Sequence, residues 1–357
     1  MSFFKNKNKA APEKEAAPKK EIAREEYTGE YVLEVKDLTI RYDTEDAVVH
    51  AVSDVSFELK RQQTLGLVGE TGAGKTTTVL SLLGLIPDPP GVIAGGEILV
   101  NGRNVMELSQ HELQEMRGKE IAMIFQDPMT SLNPVMTVGE QIAESIRIHE
   151  HVSEKEAMEL AKKTLEKVGI SGDRANDYPH QFSGGMKQRV VIAIALACHP
   201  AILICDEPTT ALDVTIQAQV LEMMKALKDE YKTSTIMITH DLGIVADTCD
   251  EVAVMYAGRI IERGTLREVF KNTKHPYTEG LFDSLPNMSD RNSKLRPIKG
   301  LTPDPTKLYP GCVFAERCPY ATDACYEGYP EKVWFSDTHF AACKAYADKG
   351  FHIKRGL

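Results

Sequence analysis

The stretch Gly69-Glu-Thr-Gly-Ala-Gly-Lys-Thr76 decides how the rest of the chain is read. It matches G-x-x-x-x-G-K-T in full, and its flanks supply the context that this pattern requires. An apolar run, Thr64 to Gly69 (TLGLVG), leads into it, and TTTVLSLLGL at helical spacing follows it. Glycines at these positions let successive backbone N–H groups turn inward and cradle phosphate oxygens at a helix N-terminus. Residues 69–77 (Gly69, Glu70, Thr71, Gly72, Ala73, Gly74, Lys75, Thr76 and Thr77) are therefore the expected phosphate contacts. Lys75 would reach the β- and γ-phosphates, and the Thr76 hydroxyl would help hold Mg²⁺.

Working outward, Ala201 to Glu207 (AILICDE) reads as a buried strand ending in two carboxylates. An apolar run ending in Asp-Glu is mostly structural when it stands alone. Downstream of a phosphate loop, Asp206 suits Mg²⁺ and Glu207 suits a general base that polarises the attacking water. Gln181 to Arg189 (QFSGGMKQR) runs into the apolar helix VVIAIAL. Its Ser183, Gly184 and Gly185 form a second helix start with free amides, a further anion site. Two such starts in one chain suggest nucleotide clamped from both sides.

Composition bounds the alternatives. The chain has 357 residues, room for one large domain plus an extension or for two domains. It carries 42 Lys and Arg against 52 Asp and Glu, a formal net charge of −10, which argues against nucleic acid as the main partner. No apolar run approaches the roughly 18–20 residues needed to cross a bilayer. The longest candidate, Val190 to Cys198, reads as a buried helix. The start, MSFFKNKNKAAPEKE, has no apolar core of a secretory signal, so a cytosolic protein is expected. Residues 1–30 are rich in Lys, Glu, Ala and Pro with few apolar residues, the composition of a solvated tail, and Phe3 and Phe4 offer a membrane or partner contact. Short strands (YVLEV, VSFEL) follow, then helical spacing over 141–170, then the strands AILICD and STIMITH. Strands alternating with helices predict an α/β fold with a mostly parallel sheet. Beyond about Phe270 prolines multiply and periodicity fades, which places a boundary there. Cys198, Cys205 and Cys249 sit among apolar residues as small core side chains.

Taken together, residues 31 to about 265 resemble the ATP-binding subunit of an ABC transporter. The resemblance implies a P-loop NTPase with a RecA-like core, an antiparallel β subdomain and a helical subdomain over about 127–190. It would occupy 31–270 and be followed by a loop-rich cysteine extension over 271–357. Every motif of that family falls in order. The phosphate loop is 69–76, and Ile124-Phe-Gln-Asp-Pro128 is the glutamine loop, with Gln126 as the Mg²⁺ and water contact. The signature is Ser183 to Gly185, and Asp206-Glu207 close the magnesium strand. Thr210 to Asp213 form the dimer-facing loop, with Asp213 counted among the nucleotide contacts, and His240 is the switch histidine. Tyr42 sits where the family places an aromatic ring against adenine. The catalytic set implied is Glu207, His240 and Gln126. The signature departs from the common LSGGQ form by reading FSGGM.

The stretches PGVIAGGEILVNGRNV, IAMIFQDPMTSLNPVMTVGEQI, YPHQFSGGMKQR and HPYTEGLFDSLP are similar to those of oligopeptide/dipeptide importer ATPases, of the first-ATPase type. That family implies head-to-tail pairing with a homologous second ATPase as a heterodimer. It also implies two transmembrane permease subunits, an extracellular solute-binding protein acting indirectly, and a place on the cytoplasmic face of the membrane. Related ATPases serve nickel and other small solutes. A soluble ABC ATPase of DNA repair or translation would carry a long coiled-coil insertion or two cassettes, and a non-catalytic sensor would lack Glu207 or His240.

Four cysteines, Cys312, Cys318, Cys325 and Cys343, fall near the end with spacing C-x5-C-x6-C-x17-C. A reducing cytosol disfavours disulfides, and the spacing lacks the paired C-x2-C knuckles of structural zinc. The family resemblance implies a [4Fe–4S] cluster held by all four thiolates; zinc and no metal are the alternatives.

Overall fold

The computed structural model of the chain describes residues 27–210, 212–284, 297–348 and 350–353. Of the solvated tail expected over residues 1–30, residues 1–26, with Phe3 and Phe4, lie outside the described residues. Two sheets carry the fold. The first starts with β1 (Tyr31–Asp43) and β2 (Val48–Lys60), a long antiparallel hairpin. Leu33, Val35, Leu38 and Ile40 of β1 are buried against Val52, Val55, Phe57 and Leu59 of β2.

The second sheet begins at β3 (Thr64–Val68), buried at every position, which feeds α1 (Lys75–Leu82). The chain then returns to the first sheet. β4 (Gly91–Val100) and β5 (Arg103–Asn104) complete an antiparallel sheet of order β2-β1-β4-β5. α2 (Gln110–Met116) leads to β6 (Ile121–Ile124). A helical layer follows: α3 (Pro128–Ser131), α4 (Val138–His149), α5 (Glu154–Lys167) and α6 (Gly184–Leu196). The single helical reading over 141–170 is thus two helices. Ser153 ends the link between them by capping α5, accepting from the Glu156 N–H.

β7 (Ile202–Asp206), α7 (Val214–Tyr231), β8 (Ser234–Ile238), α8 (Leu242–Thr248), β9 (Glu251–Tyr256) and β10 (Arg259–Thr265) then build the main sheet. β3, β6, β7, β8 and β9 run parallel to their neighbours within that group. β7 and β8 are buried at every position, which explains their unbroken apolar runs: helices cover both faces of a parallel sheet. The α/β class and P-loop architecture expected from the sequence are those observed. Cys205 and Cys249 are core residues, and Cys198 is half-buried with its thiol on the Ser145 carbonyl.

α9 (Leu266–Lys271) and α10 (Pro276–Asp283) follow. The C-terminal segment then returns to the same sheet. β11 (Lys332–Trp334) pairs with β12 (Phe340–Ala342), and β12 pairs antiparallel with β10, giving the order β11-β12-β10-β9-β3-β8-β7-β6. Fully buried Glu262 fastens this join. It accepts from the backbone N–H groups of Lys274 and His275 and bonds the His339 ring at 2.9 Å.

The iron–sulfur expectation is corrected here. Among the described residues, no group of three or more His, Cys, Asp or Glu side chains is placed to hold a metal ion, and all seven cysteines are free thiols. Burial pushes the Cys318 thiol up to about 12 and the Cys343 thiol up to about 11. The segment is closed by backbone bonds instead: the Cys312 N–H donates to the Cys325 carbonyl at 2.7 Å, and the Cys325 N–H to the Thr322 carbonyl at 2.8 Å.

Candidate nucleotide site

The carboxyl ends of β3, β7 and β8 lie side by side, so the loops leaving them meet at one edge of the sheet, where open α/β sheets bind ligands. After β3 the chain turns through Gly69 and Gly74. Gly74 has φ 96°, and a Cβ there would stand 2.5 Å from the Ala51 carbonyl oxygen, so the turn excludes a side chain. It is also the N-cap of α1 and adds no side-chain cap, leaving the first amides of the helix for a ligand.

Lys75 is buried, and its Nζ donates to the carbonyls of Gly69 at 2.7 Å and Glu70 at 3.0 Å. Burial pulls its pKa below the usual ammonium value, against the nearby carboxylates of Glu207, Asp206 and Glu70. The Thr76 hydroxyl donates to Asp206 Oδ2 at 3.0 Å across 130 residues of sequence. Burial raises Asp206 despite that bond. Thr76 and Asp206 thus present paired oxygens, a donor set suited to Mg²⁺, and Gln126 lines the same cavity.

Glu207 is the hub. It sits at φ 48°, just past β7, with its N–H on the Ile238 carbonyl at the end of β8. Its carboxylate accepts from Gln126 Nε2 at 3.0 Å and from the Thr210 hydroxyl at 3.1 Å, and it bonds His240 Nδ1 at 3.0 Å. Burial pushes its pKa up, but the bonds from His240 and Thr210 outweigh this and hold it below the usual carboxylate range. An ionised carboxylate oriented by three partners beside Lys75 is what water activation at a phosphate requires. Lys75, Thr76, Gln126, Asp206 and Glu207 share one cavity of about 190 Å³.

A second cavity of about 450 Å³ lies on the other side of the phosphate loop. Both cavities are lined by Thr71, Gly72, Ala73, Gly74 and Thr77. Tyr42 lines the larger one, as does Glu70, while Gly69 stands behind the loop as a carbonyl acceptor for Lys75.

The structure brings Gln126, Asp206 and Glu207 to the phosphate loop, with His240 bonded to Glu207, and it leaves the signature elsewhere. Ser183 caps α6 by accepting from the Met186 N–H, and neither cavity includes Ser183, Gly184 or Gly185. The FSGGM departure has a local basis. The Arg174 guanidinium lies 4.2 Å from the Phe182 ring centroid and donates to Met186 Sδ at 3.6 Å. Asp213 caps α7 by accepting from the Ile216 N–H at 3.0 Å and also lies outside both cavities.

Two residues of the C-terminal segment escaped the sequence reading. Arg317 holds the Glu70 carboxylate with both terminal nitrogens, at 2.8 and 3.1 Å, and the Glu70 N–H donates to the Tyr277 hydroxyl at 2.9 Å. No spacing signal joins positions 247 residues apart.

Comparisons with known proteins agree with this geometry. A family profile described as ABC transporter matches residues 52–210, and one described as oligopeptide/dipeptide transporter, C-terminal region, matches 261–325. The chain is similar to the oligopeptide transport ATP-binding protein OppD of Bacillus subtilis, 52% identical over 312 residues and covering 87% of each chain. It is similar to the dipeptide transport ATP-binding protein DppD of the same organism, 47% identical and covering 88% of this chain and 94% of that protein. Among solved structures, cbiO1 from Clostridium perfringens, part of the ABC transporter complex cbiONQ, aligns with a TM-score of 0.59 at 29% identity, over 68% of this chain and 92% of that one. The dimeric cassette MJ0796, bound to ADP and Pi after hydrolysis, aligns with a TM-score of 0.58 at 26% identity, over 66% of this chain and 99% of that one.

Proposed function

The chain belongs to the ABC transporter family of ATP-binding proteins, in its oligopeptide/dipeptide branch, and from that premise we propose that Glu207 activates water for the ATP hydrolysis that drives peptide uptake. ATP and Mg²⁺ fit this ABC ATPase. The observation that carries the residue assignment is the Glu207 carboxylate, ionised and held by Gln126, Thr210 and His240 in the cavity of Lys75, Thr76 and Asp206.

Each residue then has a task. The amides of the 69–77 loop orient the phosphates, and Lys75 leaves its carbonyl partners to neutralise charge on the γ-phosphate. Thr76, Asp206 and Gln126 would hold Mg²⁺, which neutralises charge developing on the β- and γ-oxygens when bound. Glu207 accepts the proton of the attacking water. His240, whose side chain is 72% exposed, steadies Glu207 and is free to meet the γ-phosphate. Tyr42 supports the adenine.

Ser183, Gly184 and Gly185 stand outside both cavities of their own chain. This supports head-to-tail pairing, in which these amides meet nucleotide on a homologous partner ATPase and Asp213 lies at the shared face. Among the described residues no helix is long and apolar enough to cross a membrane, which accords with attachment to two permease subunits at the cytoplasmic face. The family relatives are named for oligopeptide and dipeptide transport, and small peptides are the substrate class proposed, delivered to the permeases by an external binding protein.

Glu207→Gln tests the mechanism in the assembled transporter. General-base loss lowers turnover by about 10²–10⁴-fold while MgATP still binds. ATPase turnover equal to that of the wild type would refute the assignment.

A further inference from the structure

The cavity beside the phosphate loop is not walled by the ATP-binding core alone. Its outer lining comes from residues 302–309, more than 220 positions after the loop, and includes Pro303, Asp304, Pro305, Leu308 and Tyr309. Because both cavities share Thr71, Gly72, Gly74 and Thr77, a nucleoside triphosphate whose phosphates lie on this loop must direct its base and ribose into the larger one.

The 302–309 turn is built to stay in place. The His50 N–H on β2 donates to the Pro305 carbonyl at 2.8 Å, which fastens the turn eight positions from Tyr42. The Asp304 N–H donates to the Tyr309 hydroxyl at 3.0 Å, and the Thr306 N–H and hydroxyl donate to Asp304 Oδ1 at 3.0 and 2.7 Å. Behind it, Arg317 grips Glu70, which lines the same cavity. Two prolines restrict the backbone further. Yet Leu308, which lines the cavity, is 78% exposed. A leucine held in the open by a rigid turn, at the mouth of a cavity that also contains Tyr42 and Val49, suits a flat apolar ligand such as a purine ring.

We infer that residues 302–309 are the second wall of the base-and-ribose subsite, with Leu308 packing on the purine that Tyr42 also contacts. The inference rests on the ATPase reading and extends it: the 302–309 turn selects for the nucleoside part of the ligand and does not reach the phosphates. Nucleotide affinity is therefore a joint property of the cassette and its extension.

The full chain is titrated calorimetrically with MgATP and, separately, with magnesium tripolyphosphate, which has the phosphates and no base. Leu308→Ser weakens MgATP binding by about tenfold, the effect expected for one partly covered leucine. It leaves tripolyphosphate binding within about twofold, because that ligand never reaches the turn. Leu308 is exposed, so folding is not at stake, and an unchanged melting temperature confirms it. MgATP affinity equal to that of the wild type overturns the inference, as does an equal loss for both ligands. Failure of the ATPase reading looks different: the wild-type chain would then bind neither ligand, before any substitution is made.

Discussion

Replacing Arg317 by Ala tests whether the C-terminal segment holds the phosphate loop or merely lies beside it. The Arg317 side chain is 6% exposed, and that of Glu70 is 27% exposed. Besides both Glu70 oxygens, Arg317 donates to the Tyr256 hydroxyl at 3.1 Å and to the Lys299 carbonyl at 3.1 Å. Glu70 and Tyr256 in turn hold the arginine above its usual pKa, so its charge is present at every accessible pH. Removing one partner from a fully buried pair costs about 3–5 kcal/mol. Glu70 is open enough for water to replace part of what is lost, which brings the expected destabilisation down to about 2–3 kcal/mol. The loop loses its side-chain anchor but keeps the bond from the Glu70 N–H to Tyr277, so it loosens rather than unfolds. A penalty of about 1.4 kcal/mol on ordering it around phosphates weakens MgATP about tenfold. The assay is a double-mutant cycle of Arg317→Ala and Glu70→Gln, followed by urea unfolding and by MgATP titration. The coupling expected between two residues in direct contact is about 1–2 kcal/mol. Additive effects, with coupling below about 0.5 kcal/mol, would refute the reasoning, because the two side chains would then act independently.

Two further outcomes follow from single residues. Gly74→Ala forces a Cβ against the Ala51 carbonyl at a left-handed φ, a cost of about 3 kcal/mol that falls on the phosphate loop. MgATP affinity should drop about a hundredfold, and a titration matching the wild type would exclude the strain. His275 is buried with its ring neutral; burial pulls its pKa down to about 3 against a backbone hydrogen bond at Ala342. Its folded value lies below the unfolded 6.5, so the unfolded chain takes up the proton first. Stability is complete above pH 6.5 and falls between there and pH 3, by up to about 1.4 kcal/mol per pH unit. His275→Gln should flatten the pH dependence of urea midpoints between pH 6 and 4 by about one proton; an unaltered slope would show that another group titrates there.

Much of the fold was legible because its signals are local. TLGLV, ILICD and STIMI read as strands because both faces are covered, and the phosphate loop reads from glycines, of which Gly69 and Gly74 leave no room for a Cβ. The meeting of Gln126, Glu207 and His240 came from family resemblance, since nothing in spacing brings a glutamine to a carboxylate 81 residues away. Strands β11 and β12 were illegible for a plainer reason. Three residues each, KVW and FAA, are too few to show a period of two.

The cysteines show why the remainder resisted. Spacing records how far apart thiols lie along the chain, and it is silent on whether loops turn them toward one centre. The 312–325 segment spends its backbone bonds closing on itself, while Arg317, between two of those cysteines, reaches Glu70. The chemistry-bearing residue of the stretch was therefore an arginine that no motif marked. The same logic applies to Pro305 and Leu308, which read as a proline-rich loop until β2 is seen to hold them at the mouth of the nucleotide cavity. A segment without periodicity can still be rigid when its bonds run to a distant sheet. In this chain those bonds run to the phosphate loop and to β2, so the extension acts on the nucleotide rather than beside it.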